Sequence, residues 1–202
     1  MAKVIVITGP SGVGKGTLIR GLLEKLPNLA LSVSATTRAP RPGEHSGADY
    51  HFMDRDEFER RVRDNEFVEH ATYSGSSYGT LRSELQARLR EGTPVVLEIE
   101  LQGARQVREA IPDALAVFIA PPSRDALRAR LVGRGTDAPD QIEQRMRTAE
   151  RELEAQPEFA HVVVNDRLEQ ATDELARIVR AALAENPGAT ANLAGPEEGS
   201  QP

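Results

Sequence analysis

The chain is patterned as short apolar runs separated by stretches of helical period. Lys3 to Thr8 is an unbroken run of strand-forming residues, as expected of a strand covered on both faces within a parallel sheet. Pro94 to Ile99, Leu115 to Ala120 and His161 to Val164 repeat the theme, each set apart from the next by a helical pattern. Strand alternating with helix predicts an α/β fold built on a parallel sheet. One helix is predicted from about Lys15 to Leu26, closed by Pro27 and Asn28. Another covers Leu81 to Glu91, with leucine at 81, 85 and 89 and Gly92 as its stop.

Residues 34–80 break this rhythm. They are rich in turn formers, gather aromatic and histidine positions around Tyr50, and hold one short helix that starts near Asp54. Asp54 with Glu57 has capping-box spacing, and Phe58 with Val62 supplies an apolar stripe. The segment reads as a lobe inserted into a core of residues 1–33 and 81–184. Further on, Gly133-Arg134-Gly135-Thr136-Asp137 is a glycine-punctuated hinge between two arginine-rich helices, as a mobile lid over about residues 130–147 requires. From Glu185 the sequence ENPGATANLAGPEEGSQP loses apolar periodicity, and residues 185–202 are expected to form an untethered, disordered tail. No internal repeat is present.

Composition narrows the classes. A chain of 202 residues can bury one substantial core. The absence of cysteine excludes disulfides and thiolate metal sites, and His45, His51, His70 and His161 lack the close pairing of a zinc site. The opening MAKVIVITGPSG is too short in apolar length for a signal segment or a membrane span, which leads to the expectation of a cytoplasmic protein with no membrane partner. A net charge of −6 argues against a protein that coats nucleic acid. Local arginines remain, at Arg38 and Arg41 and again from Arg124 to Arg151, and in an acidic chain these point to small polyanions held at defined places.

Gly9-Pro10-Ser11-Gly12-Val13-Gly14-Lys15-Gly16-Thr17 follows a predicted buried strand and opens a predicted helix, the setting that a P-loop demands. Its glycines let successive backbone N–H groups turn toward one point, the helix N-terminus adds positive potential, and Lys15 brings a full charge to the β and γ phosphates of a triphosphate. Gly16 separates the lysine from Thr17, where a hydroxyl residue usually follows lysine directly, so the spacing leaves open whether a hydroxyl or water meets magnesium. The Lys-Gly-Thr order resembles nucleoside monophosphate kinases of the adenylate kinase type, which would fit a magnesium held largely through water.

GPSGVGKGT, SVSATTRAPRPGEHSGADYHF, NEFVEH, SYGT, LEIELQGAR, GRGTD and VND occur in the order found in guanylate kinases, and the resemblance spans residues 3 to 183. It implies a P-loop three-layer fold with a central parallel sheet, an inserted GMP-binding lobe and a mobile lid. It also implies transfer of a phosphoryl group from ATP, with Mg²⁺, to GMP. On this reading Arg38, Arg41, Tyr50 and Tyr78 hold the GMP phosphate, Glu69 and Glu100 accept from the guanine N1–H and 2-amino group, and Ser34 and Thr80 supply hydroxyls around the base. Glu100 and Thr80 stand where relatives carry aspartate and serine. Lys15, Arg134 and Arg145 are the implied catalytic cations, with Arg130 as a fourth. Glu98, on the face it shares with Glu100, is placed to orient magnesium-bound water, and Asn165 with Asp166 lies beside the adenine of ATP. The acceptor phosphate is already ionised near neutral pH, so no general base, phosphoenzyme or obligate protein partner is expected. Two alternatives stay open: a non-catalytic phosphopeptide-binding scaffold of the same fold, and a kinase for another acceptor, with the carboxylates structural.

Overall fold

A computed structural model describes residues 3–73, 75–133 and 139–185. Arg134, the rest of the predicted hinge at 134–137 and the tail beyond residue 185 lie outside these described residues.

The core sheet has five strands, β1 (Val4–Thr8), β2 (Ala30–Leu31), β7 (Val95–Glu98), β8 (Leu115–Ala120) and β9 (His161–Val164), in the order β2-β7-β1-β8-β9. Every pairing in it is parallel. The four predicted apolar runs are β1, β7, β8 and β9, shortened by a residue or two at β1 and β7, whereas the two-residue edge strand β2 is too short to give such a run. Alternate side chains of β1 enter two separate apolar layers. Ile5 and Ile7 meet α1 (Lys15–Lys25) and α7 (Leu168–Glu185) through Leu18, Ile19, Leu22, Leu175 and Val179. Val4 and Val6 meet α3 (Arg82–Arg90) and α4 (Leu101–Ala110) through Leu85, Ala104 and Val107. Helices thus cover both faces of the central strands β1, β7 and β8, which read as continuous apolar runs because neither face is wet there, while the edge strands β2 and β9 stay partly exposed.

Residues 34–80 form a second sheet of four strands, β3 (Ala35–Thr36), β4 (His51–Phe52), β5 (Phe67–Tyr73) and β6 (Ser76–Leu81), in the order β4-β3-β6-β5. A short helix, α2 (Arg55–Arg63), closes it, capped by the Asp54 side chain accepting from the Glu57 N–H at 2.8 Å. Phe58 of α2 stacks on Phe67 of β5 with ring centroids 4.6 Å apart, which pins the helix to the sheet. The remaining pair, α5 (Arg124–Gly133) and α6 (Pro139–Leu153), packs through Leu127, Leu131, Met146 and Ala149. No helix among the described residues is long and apolar enough to cross a membrane.

Candidate active site

The site lies at the carboxyl ends of the core strands, where open α/β sheets leave a crevice. β1 runs directly into the loop at residues 9–14. Gly12 and Gly14 there have φ of +86° and +97°, a region costly for any side chain, and Gly14 is also the residue that starts α1. These turns aim the loop amides at the space in front of the helix. Lys15 is 8% exposed, and its ammonium donates to the Gly9 carbonyl at 2.6 Å, folding back along the loop it follows. Its Nζ stands 3.7 Å from Glu100 Oε2, which is buried and has no hydrogen-bond partner among the described residues.

The loop is braced from behind. The Val13 carbonyl accepts from Asn165 Nδ2 at 2.8 Å and from Arg130 at 3.0 Å, and Arg130 also donates to the Asn165 carbonyl at 2.7 Å. Asn165 is buried at the end of β9, so its amide nitrogen is committed to the loop. Arg130 likewise spends its guanidinium on the backbone carbonyls of Val13 and Asn165. From α6, Arg145 donates to Ser11 Oγ at 2.9 Å, and Glu152 accepts from the Ser11 N–H at 3.3 Å. Burial and the neighbouring Glu100 push the Glu152 carboxyl up to about 7, with Lys15 and the Ser11 amide pulling the other way. Glu152 carries no motif signal: it is one acid among several on an amphipathic helix.

The loop opens on a cleft of about 500 Å³ that Lys15, Thr17, Arg20, Glu98 and Glu100 help to line. Beside it a second cavity, of about 300 Å³, is walled by Ser34, Tyr50, Glu69, Tyr78, Glu98 and Glu100. Glu98 and Glu100 belong to both. Glu98 is solvent-exposed at the end of β7, yet the cleft walls desolvate it enough to raise its carboxyl above the ordinary value, opposed by Lys15 and helped by Glu100.

At the base of the second cavity Glu69 of β5 is 4% exposed and faces Thr80 of β6 across the ladder. The Thr80 hydroxyl donates to Glu69 Oε1 at 2.8 Å. Burial pushes the Glu69 carboxyl up to about 7, only partly offset by the hydroxyl and backbone of Thr80. At the mouth, the Arg38 guanidinium lies 5.2 Å from the Tyr50 ring centroid, and Tyr50 meets Tyr78 edge-on at 6.2 Å. Glu44 receives both Arg38 terminal nitrogens, at 2.9 and 3.0 Å, and the Arg41 backbone N–H at 2.7 Å. Arg41 itself is exposed on the turn. Ser34 lines the cavity, and its carbonyl accepts from the His51 N–H. Glu44 escaped the sequence reading, although the spacing Arg38, Arg41, Glu44 around a Pro-Gly turn carries the signal of a reciprocal clamp.

The residues singled out in the sequence therefore gather around two adjoining cavities. Lys15 and the loop line one, and Arg145 touches it through Ser11. Ser34, Tyr50, Glu69 and Tyr78 line the other, with Arg38 over Tyr50 and Thr80 behind Glu69, and Glu98 and Glu100 line both. Asn165 and Arg130 stand behind the loop, and Arg134 is outside the described residues.

Known proteins share this fold and sequence. The guanylate kinase family model matches residues 1–182. A guanylate kinase of Rubrobacter xylanophilus is 50% identical over 182 residues, covering 90% of this chain and 95% of the relative. One of Frankia casuarinae is 52% identical over 174 residues, 86% of this chain and 95% of the relative. The crystal structure of a guanylate kinase from Anaplasma phagocytophilum superposes with a TM-score of 0.73 at 34% identity, covering 89% of this chain and 85% of that one. With a family model spanning nine-tenths of its length and relatives at half identity over nearly their whole length, this chain belongs to the guanylate kinase family.

Proposed function

We propose that this chain transfers the γ-phosphoryl group of ATP to GMP, and more weakly to dGMP, giving ADP and GDP, and so serves purine nucleotide metabolism and the recycling of GMP in the cytoplasm. The observation that carries the proposal is the common wall of Glu98 and Glu100. It joins a glycine-rich loop and a cavity holding the buried Glu69 carboxylate, which supports a reading in which the ends of two nucleotides meet between them.

In this reading the loop amides of residues 9–17 and Lys15 take the ATP phosphates. Arg38, Arg41 and the Tyr50 and Tyr78 hydroxyls take the GMP phosphate, while Glu69, Thr80, Ser34 and Glu100 surround guanine. Guanine offers two donors in the plane of the base, and the ionised Glu69 carboxylate is an acceptor-only partner for them. Adenine would leave that buried group with the Thr80 hydroxyl alone and without the base donors it is placed to accept, which supports selection of the purine. An oxygen of the GMP phosphate attacks the γ-phosphorus in line, the bond to the β–γ bridging oxygen breaks, and its electron pair stays on ADP. Lys15, Arg145 and Arg134 neutralise charge on the group in flight. Thr17 and Glu98 present oxygens to the triphosphate cleft, and no cluster of three or more metal-ligating side chains occurs among the described residues. That donor set suits Mg²⁺ held by phosphate oxygens and water with one or two protein oxygens, and the ion would supply charge neutralisation of the β and γ phosphates. Glu44 fixes the fork of Arg38 and the turn bearing Arg41, so the phosphate clamp is preorganised.

A coupled ADP-release assay across nucleoside monophosphates, with and without Mg²⁺, tests the proposal. Turnover is expected with GMP, weakly with dGMP, and little with AMP, CMP or UMP. Comparable turnover with AMP would overturn the guanine reading, and absence of both triphosphate binding and GDP formation would leave the phosphopeptide-binding scaffold.

A further inference from the structure

We propose that Gly103 is a specificity-determining residue: its missing side chain is the slot in which the Glu69 carboxylate is seated, so guanine selection depends on a glycine of α4 as well as on the acid. The inference rests on the assignment of Glu69 to the base and deepens it.

Gly103 is the third residue of α4 and is buried. Its backbone is not in the left-handed region, so helix geometry makes no demand for glycine there. On propensity alone glycine is a poor choice inside a helix, since it gives up more chain entropy than alanine and packs nothing. What the position does require is space. A Cβ built on Gly103 would overlap Glu69 Oε2, and it would stand 3.0 Å from Cδ and 3.5 Å from Cγ of the same side chain.

Neither element can step aside cheaply. One turn further along the same face, the Gln106 carboxamide donates to the His70 carbonyl at 2.7 Å and accepts from the His70 N–H at 3.1 Å. The helix is thereby tied to the residue next to Glu69. Ala104 and Val107 are sealed into the core layer below. On the other side Thr80, itself fully buried, holds Oε1. Glu69 thus sits between a hydroxyl on β6 and a glycine on α4, and a methyl group at 103 would have to displace the carboxylate.

The test compares Gly103→Ala, Glu69→Asp, Glu69→Gln and the double variant Gly103→Ala with Glu69→Asp, measuring KM for GMP and for ATP together with the melting temperature. Gly103→Ala should raise KM for GMP about tenfold or more while leaving KM for ATP within about twofold, because the clash falls on one cavity only. Glu69→Asp alone should also weaken GMP, since its carboxylate is withdrawn. In the double variant the shorter acid makes room for the methyl group, so the loss should be smaller than the two single losses multiplied together. Unchanged KM for GMP in Gly103→Ala would overturn the proposal, as would equal damage to GMP and ATP use. If Gly103→Ala does not fold, the double variant must recover folding, and failure to do so also refutes it. Loss of GMP selectivity in Glu69→Gln but not in Gly103→Ala would defeat this inference and spare the role of Glu69, whereas an unaffected Glu69→Gln would defeat that role itself.

Discussion

Glu69→Gln should make the protein worse at using GMP and, above neutral pH, more stable. The carboxyl ordinarily titrates at 4.5, and burial holds it at about 7 in the folded chain. Below about pH 4.5 it is protonated in both states and contributes no difference. Between there and pH 7 the unfolded chain releases the proton while the folded chain keeps it, so stability falls as pH rises. Above 7 the folded state carries the full cost of a buried charge. At about 1.4 kcal/mol per pH unit, the interval from 4.5 to about 7 is worth about 3 kcal/mol. Glutamine keeps the shape and an acceptor for Thr80 but never ionises, so this pH-dependent cost disappears. For a domain of this size about 3 kcal/mol corresponds to roughly 6–12 °C of melting temperature. Thermal unfolding of both proteins without nucleotide should therefore show nearly equal melting temperatures near pH 4.5 and a variant ahead by most of that range at pH 8. In the same variant KM for GMP should rise about tenfold or more with KM for ATP little changed. A stability difference that does not vary between pH 4.5 and pH 8 would refute the burial argument.

Lys15→Met should abolish ADP formation while circular dichroism reports an intact fold; retained turnover would remove the ammonium from the chemistry. Glu44→Gln loosens the fork on Arg38 and the turn at Arg41, so KM for GMP should rise several-fold with ATP unaffected. An equal change in both constants would show that Glu44 serves the fold generally. Arg130→Ala removes two hydrogen bonds that fix Val13 and Asn165, and is expected to cost about 1–3 kcal/mol in urea unfolding and to raise KM for ATP more than KM for GMP. A selective rise for GMP would contradict the brace.

The parallel core was legible because central strands buried on both faces have to be apolar without interruption, as Leu115–Ala120 is, and the edge run His161–Val164 was found by its apolar residues although only Val163 is buried. The second sheet was less so. β3 and β4 are two residues each, too short to express a period of two, and their pairing is fixed by partners far along the chain. The Asp54 cap was readable since it is a local contact three residues long. The seating of Glu69 was not, because it depends on the register that sets Glu69 opposite Thr80 and on the packing of α4 over β5. Arg130 and Asn165 show the same limit in reverse: an arginine and a strand-end asparagine in a nucleotide-binding chain suggest ligand contacts, and only tertiary structure reveals a backbone carbonyl as their partner.

The Val13 carbonyl is gripped from residues 130 and 165, and α1 is packed by α7, the last described helix. During synthesis the glycine-rich segment leaves the ribosome long before the groups that hold it in shape. Nascent chains arrested before residue 165 should accordingly carry the complete loop sequence and still fail to retain a triphosphate, so competence is acquired late and in a single step.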